Sequence, residues 1–223
     1  MGLTDERDLR KMIKGIKSYQ VHPFVRGELS EDVVWQQGKA RVLYKKAAAK
    51  CENTLPLLLV PSLINKADIL HITEEKSFQN WLSRNWIDCY LLDWGQPTAD
   101  DGMRDMDSLF SDRLLPAVNH ISELHGGRIA ALGYCMGGTL LAAAAQLAGD
   151  KIGQCVFLAS PWDFEGGDQK LRKEVRAGMA PALQRIASDK KLPKDWIQSV
   201  FAAVNAQRAL KKFGKFADMD QDS

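Results

Sequence analysis

The stretch Arg128-Ile129-Ala130-Ala131-Leu132-Gly133-Tyr134-Cys135-Met136-Gly137-Gly138-Thr139-Leu140-Leu141-Ala142 holds the main clue to the architecture. An apolar run of strand character, Arg128 to Leu132, passes within a few residues into an Ala/Leu-rich run of helical character, Gly138 to Ala148. A strand that turns this sharply into a helix forces a strained backbone on the residue at the corner. It leaves no room for bulky side chains two positions to either side, hence Gly133 and Gly137 around Cys135. Gly138 and the alanines after it allow the helix to lie close to the sheet. Cys135 is therefore expected at the tip of the turn, as a nucleophile. The free N–H groups and partial positive charge of the helix start stabilise negative charge at the reacting centre. The backbone N–H of Met136 is expected to supply half of an oxyanion hole.

Working outward, Leu55-Pro56-Leu57-Leu58-Leu59-Val60 is a continuous apolar run of the kind buried on both faces of a parallel sheet. The loop after it, Pro61-Ser62-Leu63-Ile64-Asn65, is expected to supply the second oxyanion donor, a backbone N–H near Leu63. Asp88 to Leu92 and Cys155 to Ala159 read as further strands. Val33-Val34-Trp35 and Ala40 to Tyr44 read as two strands around a turn at Gly38. Helices are expected over residues 4–20, Ser77 to Asn85, Ser108 to His125 and Gly138 to Ala148. Gly126-Gly127 stops the third of these, and Gly149 the fourth. Strands alternating with helices argue for an α/β protein with a mostly parallel sheet and helices on both faces. From Lys170 onward the pattern is helical and basic. The expected organisation is an N-terminal helical segment (1–32), a core (33–169) and the start of a helical cap (170–223).

The chain has 223 residues, 45% of them apolar and 26% charged, the balance of one globular domain with one core. No apolar run approaches the roughly 20 residues of a membrane span. The N-terminus lacks the apolar segment of a signal peptide, and a cytoplasmic location is expected. Cys51, Cys89, Cys135 and Cys155 have neither metal-ligand nor redox spacing. The net charge of +2 does not advertise a nucleic-acid partner. Charge is uneven, however: residues 1–50 carry 11 Lys/Arg against 6 Asp/Glu, residues 51–169 carry 7 against 16, and residues 170–223 carry 12 against 6. The basic ends read as solvated faces.

Several stretches together resemble the polyhydroxyalkanoate synthases, a family of the α/β-hydrolase superfamily. They are Val60-Pro61-Ser62-Leu63-Ile64-Asn65-Lys66, Leu91-Leu92-Asp93-Trp94-Gly95-Gln96-Pro97, the box Gly133-Tyr134-Cys135-Met136-Gly137-Gly138, and Ser160-Pro161-Trp162-Asp163-Phe164. Leu192-Pro193-x-x-Trp196 is similar to the family's helical cap. The short N-terminal segment looks closest to the short-subunit class, which works with a partner protein. The resemblance implies an acyltransferase in which the box Cys attacks the thioester of a 3-hydroxyacyl-CoA and carries the growing polyester, with no cofactor and no metal. It implies a homodimer or a partner subunit, and a location at polymer granules. The family's activating His and the Asp that activates the substrate hydroxyl both follow the nucleophile, whereas this sequence has no histidine after His125. The expectation is an N-terminal fragment, incomplete at the C-terminal side of the fold and inactive alone. Alternatives are a hydrolase of the same fold (a thioesterase, esterase or polymer depolymerase with a Cys nucleophile) and a non-catalytic granule-associated protein.

Other residues weigh less. Asp93 closes a strand at the edge where sites collect and could line the mouth, although turn capping explains it better. Asp163 is a candidate for a displaced acid. His71 is expected at the surface. Asp100, Asp101, Asp105, Asp107 and Asp112 lack calcium-loop spacing and are expected to cap the following helix. Trp196, Ile197, Val200, Phe201 and Val204 form an apolar packing stripe.

Overall fold

The computed structural model describes residues 6–23, 32–48, 54–65, 67–96, 105–166, 169–189, 196–197, 200 and 206–219. Cys51, Asp100, Asp101, Phe201 and Val204 lie outside them. Two compact units are present: Arg26–Glu165, and Met1–Val25 together with Gly166–Ser223.

The first unit is built on a six-stranded sheet: β1 (Asp32–Gln37), β2 (Ala40–Lys45), β3 (Leu55–Val60), β4 (Ile87–Asp93), β5 (Ile129–Tyr134) and β6 (Ile152–Leu158). The spatial order is β1-β2-β4-β3-β5-β6, with β1–β2 and β2–β4 antiparallel and β4–β3, β3–β5 and β5–β6 parallel. The β1–β2 hairpin turns through Gly38 at φ 58°, a left-handed conformation that glycine adopts without a Cβ penalty.

Two-residue alternation divides the apolar runs between two cores. Leu57, Leu59, Cys89, Leu91, Ala130 and Leu132 face one side, under Ala67 and Leu70 of a 3-10 turn and Leu82 of α2 (Phe78–Arg84). Leu58, Val60, Tyr90, Leu92 and Ala131 face the other, under α4 (Leu115–His125) and α5 (Met136–Leu147). The central strands read as unbroken apolar runs because helices cover both faces. This is the mostly parallel α/β-hydrolase architecture that the sequence leads one to expect.

Two of the boundary differences have a clear structural cause. The helix expected from Ser108 begins earlier, as α3 (Met106–Leu109), capped by Asp105, whose Oδ1 accepts from the Ser108 N–H at 2.9 Å. It then widens into a π-turn over Phe110–Leu114 before α4. β6 begins at Ile152, three residues ahead of the apolar run that marks it, because parallel pairing with β5 joins Ile152 to Ile129 and Gln154 to Ala130, with Gly153 at a register shift between them. β6 stands at the end of the strand order with Val156, Phe157 and Leu158 about half exposed.

At the start of β4, Asp88 is buried and accepts hydrogen bonds from the Ala47 N–H at 2.9 Å, the Tyr44 hydroxyl at 3.0 Å and Thr54 Oγ1. Tyr44 stacks on Tyr90, whose hydroxyl meets His125 Nε2 at 2.7 Å. Burial alone would push the Asp88 carboxyl up, but the bonds from Thr54, Ala47 and Tyr44 outweigh it and hold the group below its ordinary value. Burial and Asp88 together raise the Tyr44 phenol to about 12.

The second unit contains α1 (Glu6–Val21), α6 (Gln169–Asp189) and α7 (Ala206–Phe216). α1 and α7 pack on each other, Lys11 pairing with Asp218 at 2.5 Å and Tyr19 packing on Phe213 and Phe216. Gly15 is the point of closest approach, since a Cβ there would overlap the Phe213 carbonyl. The Trp196 indole donates to the Gly178 carbonyl at 3.0 Å, so that part of the predicted stripe packs on α6.

Candidate functional site

In the order β1-β2-β4-β3-β5-β6 the chain leaves β3 for β4 on one side and returns to β5 on the other. The C-terminal ends of β3 and β5 therefore flank the switch point of the sheet, where open α/β folds form their crevice. Cys135 sits there, at the step from β5 into α5, half-buried, with φ 53° and ψ −128°. That backbone region is essentially reserved for glycine, so a cysteine in it stores strain of order 1–3 kcal/mol. The surroundings hold it in place. The Cys135 N–H donates to the Leu158 carbonyl at 2.9 Å, and the Cys135 carbonyl accepts from the Gly138 N–H at 2.9 Å. The thiol has no hydrogen-bond partner among the described residues.

Each of the three predicted glycines is required by a close approach. A Cβ on Gly133 would fall against the backbone of Gly138, and one on Gly137 would overlap the Val60 carbonyl and lie 2.5 Å from the Pro61 oxygen. One on Gly138 would collide with Ser160 Oγ. The Gly137 contact matters most for chemistry, because it seats the first turn of α5 directly on the end of β3. Met136 is the first residue of that turn, a position whose N–H has no intrahelical acceptor.

Leu63 lies in the loop immediately beyond Pro61, partly buried against the core. The loop is fixed from below by the buried Trp94 indole, which donates to the Pro61 carbonyl at 2.9 Å. The Trp94 carbonyl in turn accepts from Arg113 Nη1 at 2.9 Å. On the other flank, Thr139 Oγ1 donates to the Pro161 carbonyl at 2.7 Å and Ser160 Oγ to the Gly133 carbonyl at 3.4 Å. The strand-end segments after β3, β4 and β6 thus all converge on the Cys135 turn.

The two candidate carboxylates are engaged otherwise. Asp93 Oδ2 accepts from Arg41 Nε at 2.9 Å across the β2–β4 pair, and Oδ1 caps the Gly95 N–H at 3.0 Å. This is the turn-capping role. Asp163 is exposed and its Oδ1 accepts from the Glu165 N–H at 2.9 Å. His71, expected at the surface, is buried instead, its Nδ1 2.8 Å from Ser77 Oγ. That hydroxyl also accepts from the Asn80 N–H at the start of α2. A β-bridge between His71 and Ser77 folds the intervening loop back on itself, a local contact that no periodicity announces. Trp94 and Ser160 stand within the family-like motifs and Thr139 in the helix after the box, and none had been given a role in the site. Their hydroxyl and indole groups at strand ends were the available signal.

Burial pushes Cys89 up to about 12 and raises Cys155 as well. Among the described residues, no three His, Cys, Asp or Glu side chains gather as a metal would require, and no helix is long and apolar enough to cross a membrane.

No protein-family model matches the chain. It is 29% identical over 140 residues to the poly(3-hydroxyalkanoate) polymerase subunit PhaC of Haloferax mediterranei, covering 62% of this chain and 28% of that protein. The PhaC subunit of Synechocystis is 32% identical over 142 residues, covering 62% of this chain and 37% of that protein. The chain thus spans well under half the length of these relatives. Among solved structures, a soluble variant of monoglyceride lipase from Saccharomyces cerevisiae superposes with a TM-score of 0.55 at 13% identity, over 76% of this chain and 57% of that one. That likeness bears on fold alone. The chain is a relative of the poly(3-hydroxyalkanoate) polymerases over part of their length, carried on an α/β-hydrolase scaffold.

Proposed function

We propose that the chain carries the nucleophile of a polyhydroxyalkanoate synthase-type acyltransferase. The observation that carries this reading is the strained Cys135 backbone at the β5–α5 step, in a relative of the polymerases. The Cys135 thiolate attacks the carbonyl carbon of a 3-hydroxyacyl-CoA thioester. The carbonyl π pair moves to oxygen, and that oxyanion is held by the Met136 N–H and an N–H near Leu63. Collapse expels CoA as thiolate, which takes up the proton Cys135 gave up, and leaves the acyl group on sulfur. The hydroxyl of a second hydroxyacyl unit then attacks this thioester and loses its proton to a base. An ester bond forms and the Cys135 thiol is restored.

Thioester exchange is nearly isoenergetic, so a well-placed sulfur nucleophile suffices for the first step. Gly133, Gly137 and Gly138 act by shaping the turn, and Asp93 and Asp163 by bracing the strand ends around it. We assign neither the base nor the hydroxyl-activating acid among the described residues: His71 and His125 are bonded to Ser77 and Tyr90. The reading extends to assembly with a second copy or a partner subunit at cytoplasmic polymer granules.

The test is incubation with 3-hydroxybutyryl-CoA, following CoA release, intact mass and product. Synthase chemistry predicts an acyl adduct on Cys135, absent in Cys135→Ala, and insoluble polyester. Free hydroxy acid would instead mark a hydrolase. A wild-type chain that stays unacylated beside its supplied partners would mark a non-catalytic protein.

A further inference from the structure

The helical unit has a surface that the acyl-transfer reading does not use. α1 and α7 together carry nine Lys/Arg against two Asp/Glu. Arg7, Arg10, Lys11, Lys14 and Lys17 of α1 and Lys211, Lys212 and Lys215 of α7 are all exposed. The face of α1 turned to α7 holds Gly15 and Tyr19. Beside it, at four-residue spacing along the helix, runs the row Leu9, Ile13, Lys17 and Val21. Leu9 and Ile13 are 44% and 46% exposed and Val21 74%, so this row is not consumed by packing within the unit.

Two kinds of anionic surface could satisfy the lysines, and the apolar row distinguishes them. Phosphate groups of a nucleic acid gain nothing from Leu9, Ile13 and Val21. A lipid surface rewards both halves, burying apolar side chains at the acyl boundary while cations meet the headgroups. We infer that the α1–α7 pair is a docking surface for anionic phospholipid, lying in the interface plane with the Leu9–Ile13 row inward and the lysines at headgroup level. The close approach at Gly15 brings the two basic helices together. This surface does not involve Cys135, so Cys135→Ala is expected to bind lipid unchanged, and failure of either reading leaves the other standing.

The experiment is co-sedimentation of the full chain with vesicles of phosphatidylcholine alone or mixed with phosphatidylglycerol. Binding is expected only to the mixed vesicles, with release at about 0.5 M salt, where the screening length falls to a few ångström. The combined change Lys14→Glu, Lys17→Glu, Lys211→Glu and Lys215→Glu should weaken it at least about tenfold, since each cation near such a surface contributes about fivefold. Leu9→Ser with Ile13→Ser, checked for intact helix content by circular dichroism, should weaken binding at equal charge. Equal binding to both vesicle types, or none to either, would overturn the proposal. So would a duplex DNA probe that outcompetes the vesicles while the Leu9/Ile13 variant binds as the wild type does.

Discussion

Gly138 lies so close to Ser160 that a single methyl group on its Cα would occupy the space of Ser160 Oγ. The contact joins the first turn of α5 to the segment after β6. Gly138→Ala is therefore expected to cost about 1–3 kcal/mol, the usual range for overpacking. Ser160→Gly in the same chain removes both colliding atoms and should recover most of the loss. Thermal or urea unfolding of the two single variants and the double variant measures the coupling. Additive effects would mean that the helix shifts rather than collides.

The backbone at Cys135 predicts a conflict between stability and reactivity. Cys135→Gly places at φ 53° a residue with no Cβ to strain, and should stabilise the domain by about 1 kcal/mol while removing the reactive group. A rise in unfolding midpoint together with loss of acylation is the expected pair of results.

Thiol accessibility offers a direct check on the environment of each cysteine. Cys135 is half-buried with an unbonded thiol, whereas burial both encloses Cys89 and pushes it to about 12. Iodoacetamide near pH 8 should therefore modify Cys135 in the folded protein and spare Cys89 until denaturant is added, as peptide mass mapping would show.

Asp88 predicts the pH dependence of stability. Its folded carboxyl lies below its ordinary value, so its contribution is complete above about pH 4, the unfolded value. That contribution is lost as pH falls through the folded value. Asp88→Asn should lower the midpoint most at neutral pH, and the gap from wild type should narrow as pH drops below about 4. Melting curves across this range would show convergence; parallel curves would deny Asp88 the role.

The Arg41–Asp93 pair tests whether Asp93 belongs to the reacting centre or only to the scaffold. Arg41 is 40% exposed, so the ion pair itself is worth no more than about 1 kcal/mol. Asp93→Asn should cost little stability and leave the rate of Cys135 alkylation unchanged. A change in that rate of tenfold or more would return Asp93 to the site.

What could be read from the sequence was what depends on local spacing. The unbroken Leu57–Val60 and Cys89–Leu92 runs mark central strands because helices cover both faces. Gly133, Gly137 and Gly138 mark the turn because each meets backbone or a neighbouring strand end. What remained hidden depends on register between distant segments. The Trp94 indole reaches Pro61 only once β3 and β4 are paired, and Ser160 meets Gly138 only once β6 lies beside β5. The burial of His71 rests on a bridge to Ser77 that has no hydrophobic signature, and the start of β6 on ladder pairing of Ile152 and Gln154 that the local sequence does not announce.

The turn at Cys135 is secured by its own backbone bonds and by neighbouring glycines. If Cys135 is the nucleophile, as proposed, the reacting atom is interchangeable in a way that its position is not. Oxygen could replace sulfur here with almost no structural adjustment, whereas a methyl group on any of the three glycines would displace the whole corner. On the proposed reading, a scaffold of this kind could change its chemistry by one atom and keep its shape.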